Sequence, residues 1–324
     1  IGIWGAVLLT MIRLIQGIGV GGEWGGSVLL AMEWARTNKN RGFLAAWPQF
    51  GGPAGLFLAN LAVLFFSWLS GDQFLVWGWR IPFLFSIVMV GIGLWIRLGI
   101  SETPVFQKVL NEERIERVPV LEVLKRQPKQ VALTALVRMP EQAPGYVVGT
   151  FIFTYATTVL GAPRNFVLIA VLVQAVLGFT WVPMAGHLSD RIGRKRMYMI
   201  GSVFVGIFGF VYFGLLDTKS PLLMFVAIAL SLLPAMTCYG PQAALIAESF
   251  SPRLRYSGTS LGYQLASIIA GGPSPFIATA LFAAFASSFP IALYFLACGV
   301  IGLVAVSLLT DYTNRDVSQE YEGV

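Results

Sequence analysis

Charge is what this chain has least of. Asp, Glu, Lys and Arg make up 12% of its residues, against 56% hydrophobic ones, and an ordinary soluble domain carries about twice that charged share. A water-facing helical bundle needs charged stripes at helical spacing. The long apolar runs here carry none, which excludes that class. Cysteine is nearly absent. Cys238 and Cys298 lie in apolar runs without a pairing pattern and read as small buried hydrophobes, not as a disulfide or metal site. The single histidine, His187, excludes a multi-histidine metal centre. There is no phosphate-cradling glycine loop and no nucleophile–base pairing, so no enzymatic activity, cofactor or metal is expected. There is also no charged leader. The chain starts at isoleucine inside an apolar run, which reads as a cut end and not as a signal peptide.

What is present is chain suited to hydrocarbon. Mean hydropathy is +0.73. Apolar runs long enough to cross about 30 Å of lipid fall near 3–34, 42–69, 79–99, 129–160, 164–188, 196–216, 221–249, 255–285 and 289–310. Lipid cannot satisfy an open sheet edge, so these runs are expected to be helices of an all-α, polytopic membrane protein. Of the 22 basic residues, 17 fall in alternate connections and the C-terminal tail, whereas the opposite connections hold only Arg80, Arg164 and Lys219. The positive-inside rule makes the basic side, and with it the C-terminus, cytoplasmic. The net charge of +6 is thus a topology signal and calls for no nucleic-acid partner. The expected surroundings are the lipid bilayer of a plasma (bacterial inner) membrane, around a monomer.

Two stretches resemble each other: LLAMEWARTNKNRGFLAAWPQFGGP from Leu29, and ALIAESFSPRLRYSGTSLGYQLASI from Ala244. Each closes an apolar helix with a glutamate (Glu33, Glu248), passes a short basic loop and opens a new helix. The offset of 215 residues suits six spans and their loops, and so a parallel repeat of two six-span halves. A twin of GHLSDRIGRKR (186–196) would then fall before residue 1. Nine spans of twelve are expected here, with the first three absent. Residues 1–100 would be the remainder of an N-terminal bundle, 101–128 a cytoplasmic linker with short surface helices, and 129–324 a six-span C-terminal bundle with a short tail.

These residues also carry a family resemblance. GHLSDRIGRK resembles the signature loop of the major facilitator superfamily, and RLIQGIG (13–19) resembles its fourth-helix motif. GVGGEWGG (19–26), GWRIPFLFSI, SETPVFQKV and YGPQAALIAESF with RYSGTSLGYQLAS resemble the metabolite:proton symporter branch, which includes shikimate, α-ketoglutarate and proline/betaine permeases. The resemblance implies alternating access and secondary active transport, with a proton and a small solute as partners. Proton symport of an organic acid or zwitterion is the expected activity, with a shikimate-like carboxylate favoured. An antiporter or exporter of the same fold, a transport-inactive fragment and a membrane sensor are the alternatives.

Charge inside a span marks candidate sites, because it is expensive in lipid. Arg13, Gln16, Val20 and Glu23 share one face of the first helix. About 15 Å separates the two charges, too far for one ion pair and suited to a polar track. The resemblance also assigns proton coupling to Arg13. Arg138 and Glu141 are i, i+3 neighbours that can pair, bracketed by Pro140 and Pro144, which should open the helix where transporters place binding sites. A locked structural pair beside a kink is the competing reading. Arg138 or Arg13 could hold a carboxylate in a guanidinium fork, and Glu23 or Glu141 could carry the proton. Gln16, Trp24, Gln49, Tyr239, Gln242, Tyr263 and Gln264 are further solute contacts; Asn60 and Gln174 are weaker ones. In the 186–196 loop, Gly186, Asp190, Arg191, Gly193 and Arg194 form a gating hinge. Gly193 allows the turn, Asp190 can sit at a helix N-terminus, and both arginines can meet acids across a cytoplasmic gate. The resemblance implies that this loop stabilises the outward-facing state.

Overall fold

The computed structural model describes residues 2–35, 40–99, 103, 107 and 119–313. The expected linker 101–128 therefore lies largely outside the described residues, as do most of the first basic loop and the tail beyond Thr313. Among the described residues there is no strand, and eight helical stretches are long and apolar enough to cross a membrane. They coincide with eight of the nine expected runs.

The helices follow one another along the chain. The first group holds α1 (Ile3–Glu33), α2 (Arg41–Ser70) and α3 (Arg80–Gly99). The amphipathic eight-residue α4 (Pro119–Arg126) buries Val123 and turns Glu122, Lys125 and Arg126 outward. After it come α5 (Pro128–Val137), α6 (Met139–Tyr146), α7 (Arg164–Ile192), α8 (Arg194–Asp217), α9 (Pro221–Leu230), α10 (Leu233–Glu248), α11 (Arg255–Ala266), α12 (Ser274–Phe285) and α13 (Phe289–Leu308).

The remaining expected run, 129–160, is helical but not one helix. It breaks at Arg138, and two π-helical turns, Val147–Phe151 and Tyr155–Val159, follow α6. Pro140 and Pro144 explain the break: neither can donate to the carbonyl four residues back, and each ring crowds that carbonyl. Proline acts similarly elsewhere. Pro234 starts α10 after the turn at Ser231, and Pro273 separates α12 from the π turn Ser267–Gly271.

The second group is the better-packed part. One core joins the α6 extension, α7, α8, α9, α12 and α13 through Tyr155, Tyr212, Phe213, Leu216, Ile228 and Phe295. In contrast α3 buries no residue, and α1 buries only Gly25, Val28, Leu29 and Met32, all in its last third. That last third packs on α11, while α2 runs along α7 and α10.

One expectation about the fold is corrected. The stretch 186–196 is not a loop: α7 continues through Ile192, α8 starts at Arg194, and the single break is Gly193. Its φ of 99° and ψ of 137° suit glycine alone. The polar residues read as loop-forming stay helical because the helix packs. A Cβ on Gly186 would lie 2.6 Å from the Gly42 carbonyl oxygen and from the Ala46 Cβ, so glycine is what lets α7 and α2 touch.

Candidate functional site

Arg138 stands at the break between α5 and α6, with 1% of its surface exposed. Its guanidinium is fully engaged. Nε donates to Glu141 Oε1 at 2.8 Å, and Nη2 lies 2.8 Å from the same oxygen while also donating to Gln142 Oε1. Nη1 donates to the Tyr263 carbonyl and to Ser267 Oγ. The Tyr263 ring covers one face of the guanidinium, 3.3 Å from its central carbon. A buried cation at a helix break is thereby neutralised by one carboxylate and capped by an aromatic face.

From this pair a polar network runs across to the first group of helices. Gln242 Nε2 on α10 donates to Glu141 Oε1 at 3.1 Å. Gln49 on α2 donates from Nε2 toward Gln242 Oε1 (3.4 Å) and the Tyr239 carbonyl (3.3 Å). Trp24 Nε1 on α1 donates to Gln49 Oε1 at 2.6 Å, and its ring stacks on Tyr263 with centroids 3.5 Å apart. Tyr263 and Tyr239 share a side-chain hydrogen bond. Seven of the expected residues thus form a closed ring: Arg138, Glu141, Gln242, Gln49, Trp24, Tyr263 and Tyr239. The ring joins α1 and α2 to α5, α6, α10 and α11. Gln142 and Ser267, which sequence reasoning passed over, complete the shell of Arg138. Gln142 carried a usable signal, since it stands i+4 from Arg138 on a helical run.

Four expected residues are not brought into the ring. Arg13 donates to Gln16 at 3.0 Å on an exposed stretch of α1, Glu23 is exposed, and Gln264 reaches only the Val20 carbonyl, at 3.5 Å. Of the weaker candidates, Gln174 joins α7 to the turn before α10 by donating to Ser231, and Asn60 donates to the Leu56 carbonyl of its own helix.

A second cluster closes the end where the basic loops gather. Asp190, at the end of α7, accepts from the backbone N–H of Gly42 (2.8 Å) and Phe43 (2.9 Å), and so caps the N-terminus of α2. A carboxylate meeting first-turn N–H groups is favoured by their unpaired hydrogens and by the helix dipole. Arg194 donates to Asp190 at 3.2 Å and to Glu248 at 2.7 Å, and Arg41 lies 3.7 Å from Glu248. Arg255 lies 3.8 Å from Glu33. The two repeats therefore exchange partners: the glutamate closing each one faces the arginine opening the next helix of the other. Gly186 and Gly193 act as described above. Arg191, although named with this set, is exposed and pairs with no described residue.

Crossing helices, a buried ionisable centre at a helix break and ion pairs that gather, among the described residues, at the basic end are the architecture of a multi-pass membrane transporter. Residues 1–275 match the family model Major Facilitator Superfamily. The chain belongs to the major facilitator superfamily. It is 37% identical to the inner membrane metabolite transport protein YhjE of Escherichia coli (strain K12), over 98% of this chain and 73% of that protein. It is also 37% identical to the shikimate transporter of Escherichia coli (strain K12), over 96% and 72%, and 29% identical to the proline/betaine transporter of the same strain, over 97% and 65%. Among solved structures, the proton:xylose symporter XylE bound to 6-bromo-6-deoxy-D-glucose superposes with a TM-score of 0.68 at 18% identity, over 95% of this chain and 72% of that one, a likeness of fold alone. The family and these relatives are transporters, not enzymes. This chain is a transporter of metabolites or other small solutes.

Proposed function

We propose that the protein is a proton symporter for a small organic acid, working by alternating access in a bacterial inner membrane with its C-terminus in the cytoplasm. The observation that carries this reading is the buried Arg138–Glu141 pair, set among neutral hydrogen-bonding side chains from both helix groups. A guanidinium edge is the natural partner of a carboxylate. Gln49, Gln142, Gln242, Tyr239 and Ser267 suit the hydroxyls of a polyhydroxy acid, and the names of the shikimate transporter and the proton:xylose symporter favour a shikimate-like carboxylate moved with protons. Arg13 and Glu23 are assigned to the proton path along α1. Residues 1–100 and 129–324 serve as the two moving bodies, with 101–128 linking them. The Asp190–Arg194–Glu248 cluster is the cytoplasmic gate, so the described conformation faces outward.

Labelled shikimate taken up by cells producing the protein tests this. Uptake should vanish when a protonophore collapses the gradient and when Arg138 is replaced by lysine, which keeps the charge and loses the fork. Uptake indifferent to the gradient overturns symport. Normal uptake by Arg138→Lys removes Arg138 from the site.

A further inference from the structure

The short helix α4 wears most of its apolar side chains outward. Val123 is turned in and wholly buried, whereas Val120, Leu121 and Leu124 stand exposed, Leu121 by 52%. At helical spacing these three fill one continuous arc of about 100° beside Val123. The charged side chains take the rest of the circumference. Lys125 borders the arc next to Leu121 and is largely exposed, while Arg126 holds Glu122 at 2.8 Å. A single residue, Gln127, links α4 to α5. Just beyond it, Lys129 lines an open niche of about 310 Å³ with Leu133, Ser249 and Leu308. Ser249 follows α10 and Leu308 ends α13, so the niche lies at the level where two spans leave the lipid. Glu122, Lys125, Arg126 and Lys129 together carry two net positive charges.

An open apolar arc beside net positive charge, at the edge of the bilayer, suits one partner: the headgroup layer of an anionic phospholipid. Acyl carbons cover Val120, Leu121 and Leu124, and phosphates meet the cations. A soluble acidic protein would match the charges, but it would have to displace lipid from the arc. The inward side of α4 has a different contact. Val123 joins Val131, Phe250 and Leu254 in one core. Phe250 and Leu254 belong to the connection between Glu248 and Arg255, and Arg255 Nε donates to the Phe250 carbonyl at 3.3 Å. We propose that α4 is a membrane-surface anchor that binds anionic phospholipid. Through Val123 it holds the Glu248–Arg255 connection in the arrangement that closes the basic end. Lipid charge thereby biases the conformational equilibrium of the transporter. The inference needs only that the basic end lie at a membrane surface; it is independent of the solute and of proton coupling.

The test uses the purified protein in nanodiscs of phosphatidylcholine, with or without phosphatidylglycerol. Cys238 and Cys298 are buried, so an environment-sensitive fluorophore can be attached selectively to the variant Leu121→Cys. The label should emit as in an apolar medium and be quenched by brominated acyl chains. Quenching should be stronger with phosphatidylglycerol, and high salt should remove the gain. Each basic group near an anionic surface favours binding about fivefold, so Lys125→Gln/Lys129→Gln should lower the preference for phosphatidylglycerol about 25-fold. Its melting temperature in detergent should not move. Labels at Trp34 and Leu188 should report a larger closed fraction in phosphatidylglycerol for the unsubstituted protein. Val123→Ala keeps the charges and loses the inward contact, and its closed fraction should ignore lipid charge. A label at 121 that stays in water in both lipids, or turns apolar only as the protein dimerises, overturns the anchor. A docked α4 with equal closed fractions in both lipids overturns its hold on the basic end.

Discussion

The two ends of the helix bundle are held by different means. At the basic end, Arg41, Arg194 and Arg255 are all at most 4% exposed; Arg41 meets Glu248 and Arg255 meets Glu33 across the two helix groups, while Arg194 holds Asp190 and Glu248 within the second. At the opposite end, Asp217 accepts from Tyr155 and from Ser288 (2.6 Å), so it ties the α6 extension, α8 and α13 together. All three lie in the second group. There α1 is exposed along nearly its whole first half. One end carries contacts between the two groups and the other a brace within one group. In a low-dielectric setting, paired buried charges make a switch of this kind: strong while paired, and heavily penalised when half-broken.

The contrast is broken most forcefully at Glu248, which serves two arginines. Glu248→Ala leaves Arg41 and Arg194 facing each other and should destabilise the closed end by about 3–5 kcal/mol, enough to shift the open-to-closed ratio by more than about a hundredfold. Spin labels at Trp34 and Leu188, exposed positions on the two groups, should report a longer mean distance. An unchanged distance would show that the seal does not depend on this carboxylate. A purely steric version of the same experiment is Gly186→Val. Its added carbons have no room against Gly42 and Ala46, and overpacking of about 1–3 kcal/mol should part α7 from α2 without altering any charge. The label distance should lengthen equally at low and high salt. Asp217→Asn, at the other end, should cost about 1–2 kcal/mol through its two weakened hydrogen bonds. That loss should appear as a lower melting temperature in detergent, with the Trp34–Leu188 distance unmoved; a moved distance would mean that the brace also senses the gate.

Much of this was legible in residue order, and the exceptions share a physical cause. Periodicity and length located the spans because lipid imposes them. The i, i+3 spacing of Arg138 and Glu141 announced their contact, since helical neighbours need no knowledge of the fold. The prolines marked the break but not its site: they stand at 140 and 144, while the chain turns at Arg138, between the carbonyls of residues 136 and 140 to which they cannot donate. The exchange of partners between repeats was out of reach, although the repeat itself was plain. Glu33 meets Arg255 and Glu248 meets Arg41 across more than half the chain, and only the packing of α1 on α11 and of α2 on α10 brings them together. The helix through 186–192 was missed for the same reason. Polar residues and glycine favour a loop locally, and contact with α2 overrides them.

The smallest expected effect separates motif from mechanism. Arg191 and Arg194 stand three residues apart in one basic sequence, and a spacing argument treats them alike. Arg194 is fully buried between two carboxylates, whereas Arg191 is exposed and pairs with no described residue. Surface substitutions away from caps, cores and networks stay within about 0.5 kcal/mol. Arg191→Ala should therefore leave the label distance and the melting temperature where they are, while Arg194→Ala should lengthen the distance as Glu248→Ala does, because it strands Asp190 and Glu248 without their shared cation. If Arg191→Ala opened the basic end as far as Arg194→Ala, the closure would depend on the summed positive field of this basic stretch, and the buried pairs would lose their place as its cause.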